Sequence, residues 1–104
     1  MNFKNPYLGT ADKIRMLQRW ILVQSYVYYY LDDNIVADRV YDMNAQQLIK
    51  LQKENRSVKT MYSYAFKNFE SGTGFDLYKH LKKEHRGIIV RDAEFALKLS
   101  KQRN

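Results

Sequence analysis

The sequence contains no cysteine. A disulfide framework, a thiolate zinc site and a thiol nucleophile are therefore excluded for these 104 residues. The sequence also lacks an apolar run close to the roughly 18 to 20 residues that span a bilayer, and its first residues hold no apolar signal core. We therefore expect a cytoplasmic protein that does not use a membrane.

Proline and glycine are scarce, with one and four residues respectively. Apolar residues make up 45% of the chain and charged residues 28%, a balance typical of globular proteins. No internal repeat or low-complexity linker divides the sequence. The sequence therefore predicts one domain, residues 1–104. Its apolar spacing predicts the all-α fold class.

Residues 11–31 carry two apolar stripes, both close to the 3.6-residue period of a helix. The first comprises Ile14, Leu17, Ile21 and Tyr28, and the second Met16, Trp20, Val23 and Val27. Thr10 or Asp12 is suited to cap the start of this helix, because its side chain can accept from an unpaired backbone amide. Asp32, Asp33 and Asn34 supply a polar turn after it.

Asp38 is suited to cap a second helix, which the apolar spacing extends to about Glu54. Because the connection between the two helices is short, they are predicted to form an antiparallel hairpin over residues 11–54.

Residues 55–104 predict about three shorter helices packed on the hairpin. Ser57 to Phe69 shows helical spacing, and Phe75 to His85 forms a fourth predicted helix with Gly87 as a left-handed cap. Residues 88–90 are β-branched, which predicts an extended linker packed on the core. Asp92 is then suited to cap a last helix through Leu99.

The net charge of +7 lies entirely in the second part of the chain. Residues 1–44 hold five basic and five acidic side chains, whereas residues 45–104 hold thirteen and six. This asymmetry suits either solubility or attraction to nucleic acid and acidic proteins. The candidate basic face comprises Lys79, Lys82, Lys83, Arg86, Lys98, Lys101 and Arg103. Tyr62, Tyr64 and Tyr78 could add aromatic rings that stack on nucleic-acid bases.

The most specific pattern runs from Tyr28 to Asp42. Tyr28-Tyr29 is followed by Leu31-Asp32, and the second helix opens with Asp38-x-x-Tyr41-Asp42. This spacing resembles, without a gap, the nicotinamide-mononucleotide-binding (Ia) segment of bacterial NAD-dependent DNA ligases, which is a helical hairpin. Two positions depart from the ligase pattern, namely Asn34 in place of proline and Val40 in place of an acidic residue.

The resemblance implies a site for NAD or nicotinamide mononucleotide (NMN). The cofactor-binding residues that it assigns are Tyr28, Tyr29, Asp38, Tyr41 and Asp42. A tyrosine face can stack on the flat cationic ring, and a carboxylate can offset its charge. The same residues also have a structural interpretation, in which Asp38 caps a helix and the tyrosines close the end of the hairpin.

No Lys-x-Asp-Gly nucleophile motif or further ligase domain is found in the sequence, so we expect no enzymatic activity. We also expect no bound metal, because neither the histidines nor the acidic residues favour a metal site. This small chain resembles ligase-related proteins of bacteriophages. The resemblance implies a phage-encoded binding module that is not an enzyme. The alternatives are therefore a phage protein that inhibits or redirects a host nucleic-acid enzyme or defence complex, and a non-specific nucleic-acid-binding protein.

Three further groups have weaker signals for a site. His80 and His85 are five residues apart, which is not the spacing of a helical zinc pair. The acidic residues around the hairpin turn suit capping and solvation better than Mg²⁺. Residues 71–74, Ser-Gly-Thr-Gly, lack the lysine and the strand of a phosphate-binding loop.

Overall fold

The computed structural model describes residues 9–70 and 76–102. Within these ranges the chain forms three α-helices and no β-strand. The helices are α1 (Thr10–Tyr30), α2 (Asp38–Glu54) and α3 (Lys83–Gln102), and two short 3₁₀ helices, Ser63–Phe66 and Tyr78–His80, lie between α2 and α3. The predicted all-α fold class is therefore confirmed.

The first helix, α1, is central, because it packs against α2, α3 and both 3₁₀ helices. It buries side chains from both predicted apolar stripes, which explains why most of its circumference is apolar. Leu17 and Ile21 of one stripe and Val27 of the other are completely covered. Tyr28 belongs to the first stripe by its spacing, yet its side chain is 51% exposed.

The helices α1 and α2 form the predicted antiparallel hairpin. Gln18 Nε2 donates to Gln52 Oε1 at 3.0 Å, whereas the hydroxyls of Ser25 and Tyr41 lie 3.4 Å apart nearer the turn. Residues later in α1 therefore contact residues earlier in α2, as in an antiparallel pair.

The polar turn between the two helices ends α1 abruptly. The backbone amides of Leu31 and Asp33 both donate to the Val27 carbonyl. Asp32 has a φ of 51°, in the left-handed region that aspartate adopts more readily than most residues. The turn thus brings the end of α1 and the start of α2 side by side.

The predicted helix caps are wrong. Gly9 precedes α1 and Ala37 precedes α2, and neither has a capping side chain. Thr10 and Asp38 are instead the first residues of their helices, and Asp12 lies in the first turn of α1. Because the backbone dipole favours negative charge there, both aspartates suit these positions without capping them.

The predicted helix from Ser57 to Phe69 is also wrong, since this segment holds only the 3₁₀ helix Ser63–Phe66 and turns. Side-chain hydroxyls compete there with helical hydrogen bonds. The Thr60 amide donates to Ser63 Oγ at 2.9 Å, and the Tyr62 amide donates to Thr60 Oγ1 at 3.1 Å. Four apolar side chains of the segment are nevertheless buried in the core, namely Tyr62, Ala65, Phe66 and Phe69.

The helix α3 replaces the predicted linker and last helix. Gly87 is not a left-handed cap, residues 88–90 are helical rather than extended, and Asp92 lies in mid-helix. Ile89 and Ala93, four residues apart, are completely buried. Their packing outweighs the roughly 1 kcal/mol by which an interior glycine disfavours a helix.

The segment before α3 differs from the predicted fourth helix as well. Phe75 lies outside the described residues, and residues 76–82 form turns around the 3₁₀ helix Tyr78–His80. Leu81 is extended, with φ −73° and ψ 139°, which separates these turns from α3. Arg86, a member of the candidate basic face, is half-buried and donates to the carbonyls of Lys79 and Leu81.

A substitution at Gly87 tests directly whether this residue lies within a helix. The methyl group that an alanine would add there has open space, with no neighbouring atom within 4 Å, and the backbone is helical. We therefore expect Gly87→Ala to raise the free energy of unfolding by about 0.5–1 kcal/mol, measured by urea denaturation. A left-handed cap at this position would instead make the substitution destabilising.

A buried tyrosine makes stability depend on pH. Tyr62 is 1% exposed, and its hydroxyl has no hydrogen-bond partner among the described residues. Burial raises the pKa of Tyr62, so the folded protein keeps the hydroxyl protonated where the unfolded chain ionises it. The ionisation of Tyr62 therefore does not affect the free energy of unfolding below about pH 10, and it lowers this free energy as the pH rises beyond that value.

We expect Tyr62→Phe to be neutral or stabilising at pH 7, because it removes an unpaired buried hydroxyl. The variant is also expected to lose less stability than the natural protein between pH 9 and 11. Urea denaturation across that range measures both effects. Identical pH profiles for the two proteins would contradict the assignment.

Candidate functional site

A cavity of about 400 Å³ lies where α1 ends and α2 begins. Small-molecule sites in proteins occupy roughly 300 to 1,000 Å³, so this volume suits a ligand rather than a packing defect. The structure brings to this one cavity all five residues that the resemblance assigned, namely Tyr28, Tyr29, Asp38, Tyr41 and Asp42. It is also lined by Gln24, Ser25 and residues 34–36.

Helical spacing explains why these side chains meet. Asp38, Tyr41 and Asp42 are at positions i, i+3 and i+4 of α2, so they share one face. Tyr28 and Gln24 are separated by four residues on α1 and likewise share a face. The turn places these two faces opposite each other.

The three consecutive tyrosines at the end of α1 have different surroundings. Tyr28 and Tyr29 line the cavity, and their rings meet edge to face with centroids 4.9 Å apart. Tyr30 lies elsewhere, stacked on Tyr26 at 5.3 Å and in contact with Tyr78 at 4.9 Å. Two of the three rings are therefore placed to contact a ligand.

Tyr41 is half-buried and forms part of the cavity wall. Burial raises the pKa of its hydroxyl, and the negative charge of Asp42 acts in the same direction. The hydrogen bond with Ser25 acts against this rise. The Tyr41 hydroxyl therefore stays protonated at neutral pH and can donate a hydrogen bond.

The cavity is negatively charged although the chain carries +7. Asp38 and Asp42 are exposed, and neither makes an ion pair within residues 9–70 and 76–102. Of the described residues that line the cavity, none is lysine or arginine. The carboxyl end of α1 adds a partial negative charge. Two aromatic faces beside unpaired carboxylates favour a flat cationic ligand.

Sequence reasoning missed Gln24 and Ser25 as members of the site. Gln24 is 4% exposed, and neither atom of its side-chain amide has a hydrogen-bond partner among the described residues. The available signal was their spacing, four and three residues before Tyr28, within residues 20–28, which are otherwise apolar.

The candidate basic residues fall into two groups. Lys79, Lys82, Lys83 and Arg86 lie near the start of α3, and Lys98 and Lys101 lie near its end, about 20 Å away at the rise of a helix. Lys101 pairs with Asp33 at 3.5 Å. Lys82 lies over the ring of Tyr64, and Arg86 over that of Tyr78. Arg103 lies outside the described residues.

The other candidate groups have these positions. His85 Nδ1 lies 2.6 Å from the Tyr64 hydroxyl, whereas His80 belongs to a 3₁₀ helix. Residues 71–74 lie outside the described residues. The described part of the chain holds no cluster of three or more side chains suited to a metal ion. No helix in that part is both long enough and apolar enough to cross a bilayer.

Comparison with known proteins gives one informative match. A stretch of 51 residues, 49% of this chain, is 35% identical to a DNA ligase of Alkaliphilus oremlandii (strain OhILAs). The chain contains a ligase-related segment. The match spans 8% of the length of that ligase. No family model matches the chain, and no solved structure matches it.

Proposed function

We propose that this protein is a non-catalytic binding module that holds a nicotinamide nucleotide in the cavity between α1 and α2. The observation that carries the proposal is the convergence of five side chains on one cavity. Their types and spacing resemble the nucleotide-binding segment of the ligases, and the residues are Tyr28, Tyr29, Asp38, Tyr41 and Asp42. A ligase-related segment in the chain supports the same assignment.

Each side chain has a physical role in this proposal. The oxidised nicotinamide ring is flat and positively charged, so it stacks on the exposed rings of Tyr28 and Tyr29. Asp38 and Asp42 offset the charge of the ring and accept from ribose hydroxyls. Tyr41, whose hydroxyl stays protonated, donates to a ribose or amide oxygen.

Calorimetric titration tests this proposal. NMN and NAD are expected to release heat and to saturate one site per chain, whereas no heat at millimolar NMN would overturn the proposal. Reduced NMN is the matched control ligand, because its ring has nearly the same shape but no charge. We expect it to bind about five- to a hundredfold more weakly, since cation–π and ion-pair contacts together contribute roughly 1–3 kcal/mol.

A further inference from the structure

Gln24 is the least explained side chain of the cavity. Gln24 lines the cavity and is 4% exposed, and the two buried polar atoms of its side-chain amide have no hydrogen-bond partner among the described residues. Gln18, six residues earlier on α1, is also buried, but its amide is bonded within the protein. Its Nε2 donates to Gln52 Oε1, and its Oε1 accepts from the Thr60 hydroxyl.

An unpaired buried amide costs stability, and methionine fits a helix at least as well without that cost. Such groups are therefore rare in folded proteins, and each one calls for an explanation such as a functional role or a bound water, ion or other molecule that supplies the missing hydrogen bonds. Because Gln24 lines the cavity, a molecule inside it is the available partner.

We propose that Gln24 recognises the carboxamide of the bound pyridine ring and distinguishes it from a carboxylate. This inference rests on the function proposed above. Gln24 is four residues before Tyr28 on the same face, about 6 Å along the helix, and is much more buried than Tyr28. A ring stacked on Tyr28 can therefore extend its carboxamide toward Gln24 at the inner end of the cavity.

Hydrogen bonding between the Gln24 amide and the ligand distinguishes a carboxamide from a carboxylate. Two primary amides form two antiparallel hydrogen bonds, in which Gln24 Nε2 donates to the ligand oxygen and the ligand nitrogen donates to Gln24 Oε1. Nicotinic acid mononucleotide offers two acceptors and no donor, so one of its oxygens would face Gln24 Oε1. Its additional negative charge is also repelled by Asp38 and Asp42.

The test compares NMN with nicotinic acid mononucleotide by calorimetry. The natural protein is expected to bind NMN at least about tenfold more tightly. Gln24→Met removes both amide atoms at similar volume. We expect it to keep or raise the melting temperature of the free protein, to weaken NMN binding at least about tenfold and to reduce the preference for the amide.

Gln18→Met is the matched control, because it removes an amide that is bonded within the protein. It is expected to lower the melting temperature and to leave the ratio of the two affinities unchanged. If the natural protein binds NMN but Gln24→Met binds it equally well, the role of Gln24 is wrong and the site stands. If the natural protein binds neither nucleotide, the proposed function fails and the role of Gln24 fails with it. A clear loss of stability in Gln24→Met also contradicts an unpaired amide.

Discussion

Asp42→Asn is expected to weaken NMN binding by about ten- to a hundredfold, since a hydrogen bond or ion pair with a charged group contributes roughly 1.5–3 kcal/mol. Tyr28→Ala is expected to have an effect of similar size, because it removes a stacking face for the cationic ring. Both side chains are exposed, so neither substitution should unfold the protein. Calorimetric titration with NMN measures the loss.

Two variants serve as matched controls. Glu94→Gln neutralises an exposed acid on α3, and Tyr30→Ala removes a tyrosine at the end of α1 that does not line the cavity. Neither is expected to change NMN affinity by more than about twofold, because surface changes remote from a site have small effects. Equal losses in Asp42→Asn and Glu94→Gln would mean that net charge, rather than this cavity, governs binding.

Leu48→Ala is expected to lower the free energy of unfolding by about 3 kcal/mol. Leu48 lies on α2 and is completely buried in the core. The loss is large for a domain whose total stability is of the order of 5–15 kcal/mol. It combines the lost burial of apolar surface with the cavity that the smaller side chain leaves. Urea denaturation at neutral pH measures it.

Met43→Ala is the control for Leu48→Ala, since Met43 lies on the same helix but is 64% exposed. We expect it to change stability by less than about 0.5 kcal/mol. Comparable losses in the two variants would contradict the arrangement of α2 against α1.

The hairpin was predictable because its signals agree. α1 and α2 carry apolar side chains at a clear helical period, and a run of polar residues, Asp32 to Asn34, separates them. The ends of both helices were correct to within about one residue, although the capping residues were not. Periodicity therefore located the elements, and the chain used Gly9 and Ala37 where a side-chain cap was expected.

The second half of the chain was harder to predict because local signals oppose the tertiary packing. Gly87 and the β-branched residues that follow it favour a break, yet Ile89 and Ala93 gain enough burial to keep the segment helical. Near Ser63, apolar residues have helical spacing, but hydroxyl groups bond the backbone in turns. Neither outcome can be read from periodicity alone.

The candidate site divides in the same way. That Tyr28 and Asp42 would lie close together was predictable, because both were placed near the turn of the predicted hairpin. Gln24 was not, because a glutamine on a helix is usually exposed, and only its burial without a partner distinguishes it. Binding of nucleic acid by the candidate basic face stays a prediction. Electrophoretic mobility of nucleic acid with the protein at low and high salt would test it.

The most direct test of the nucleotide site is an NMR titration of the ¹⁵N-labelled protein with NMN. We predict that the shifted backbone amides are concentrated in residues 24–42 and that the side-chain amide of Gln24 shifts with them. Shifts confined to α3, or no shifts at millimolar NMN, would contradict the account.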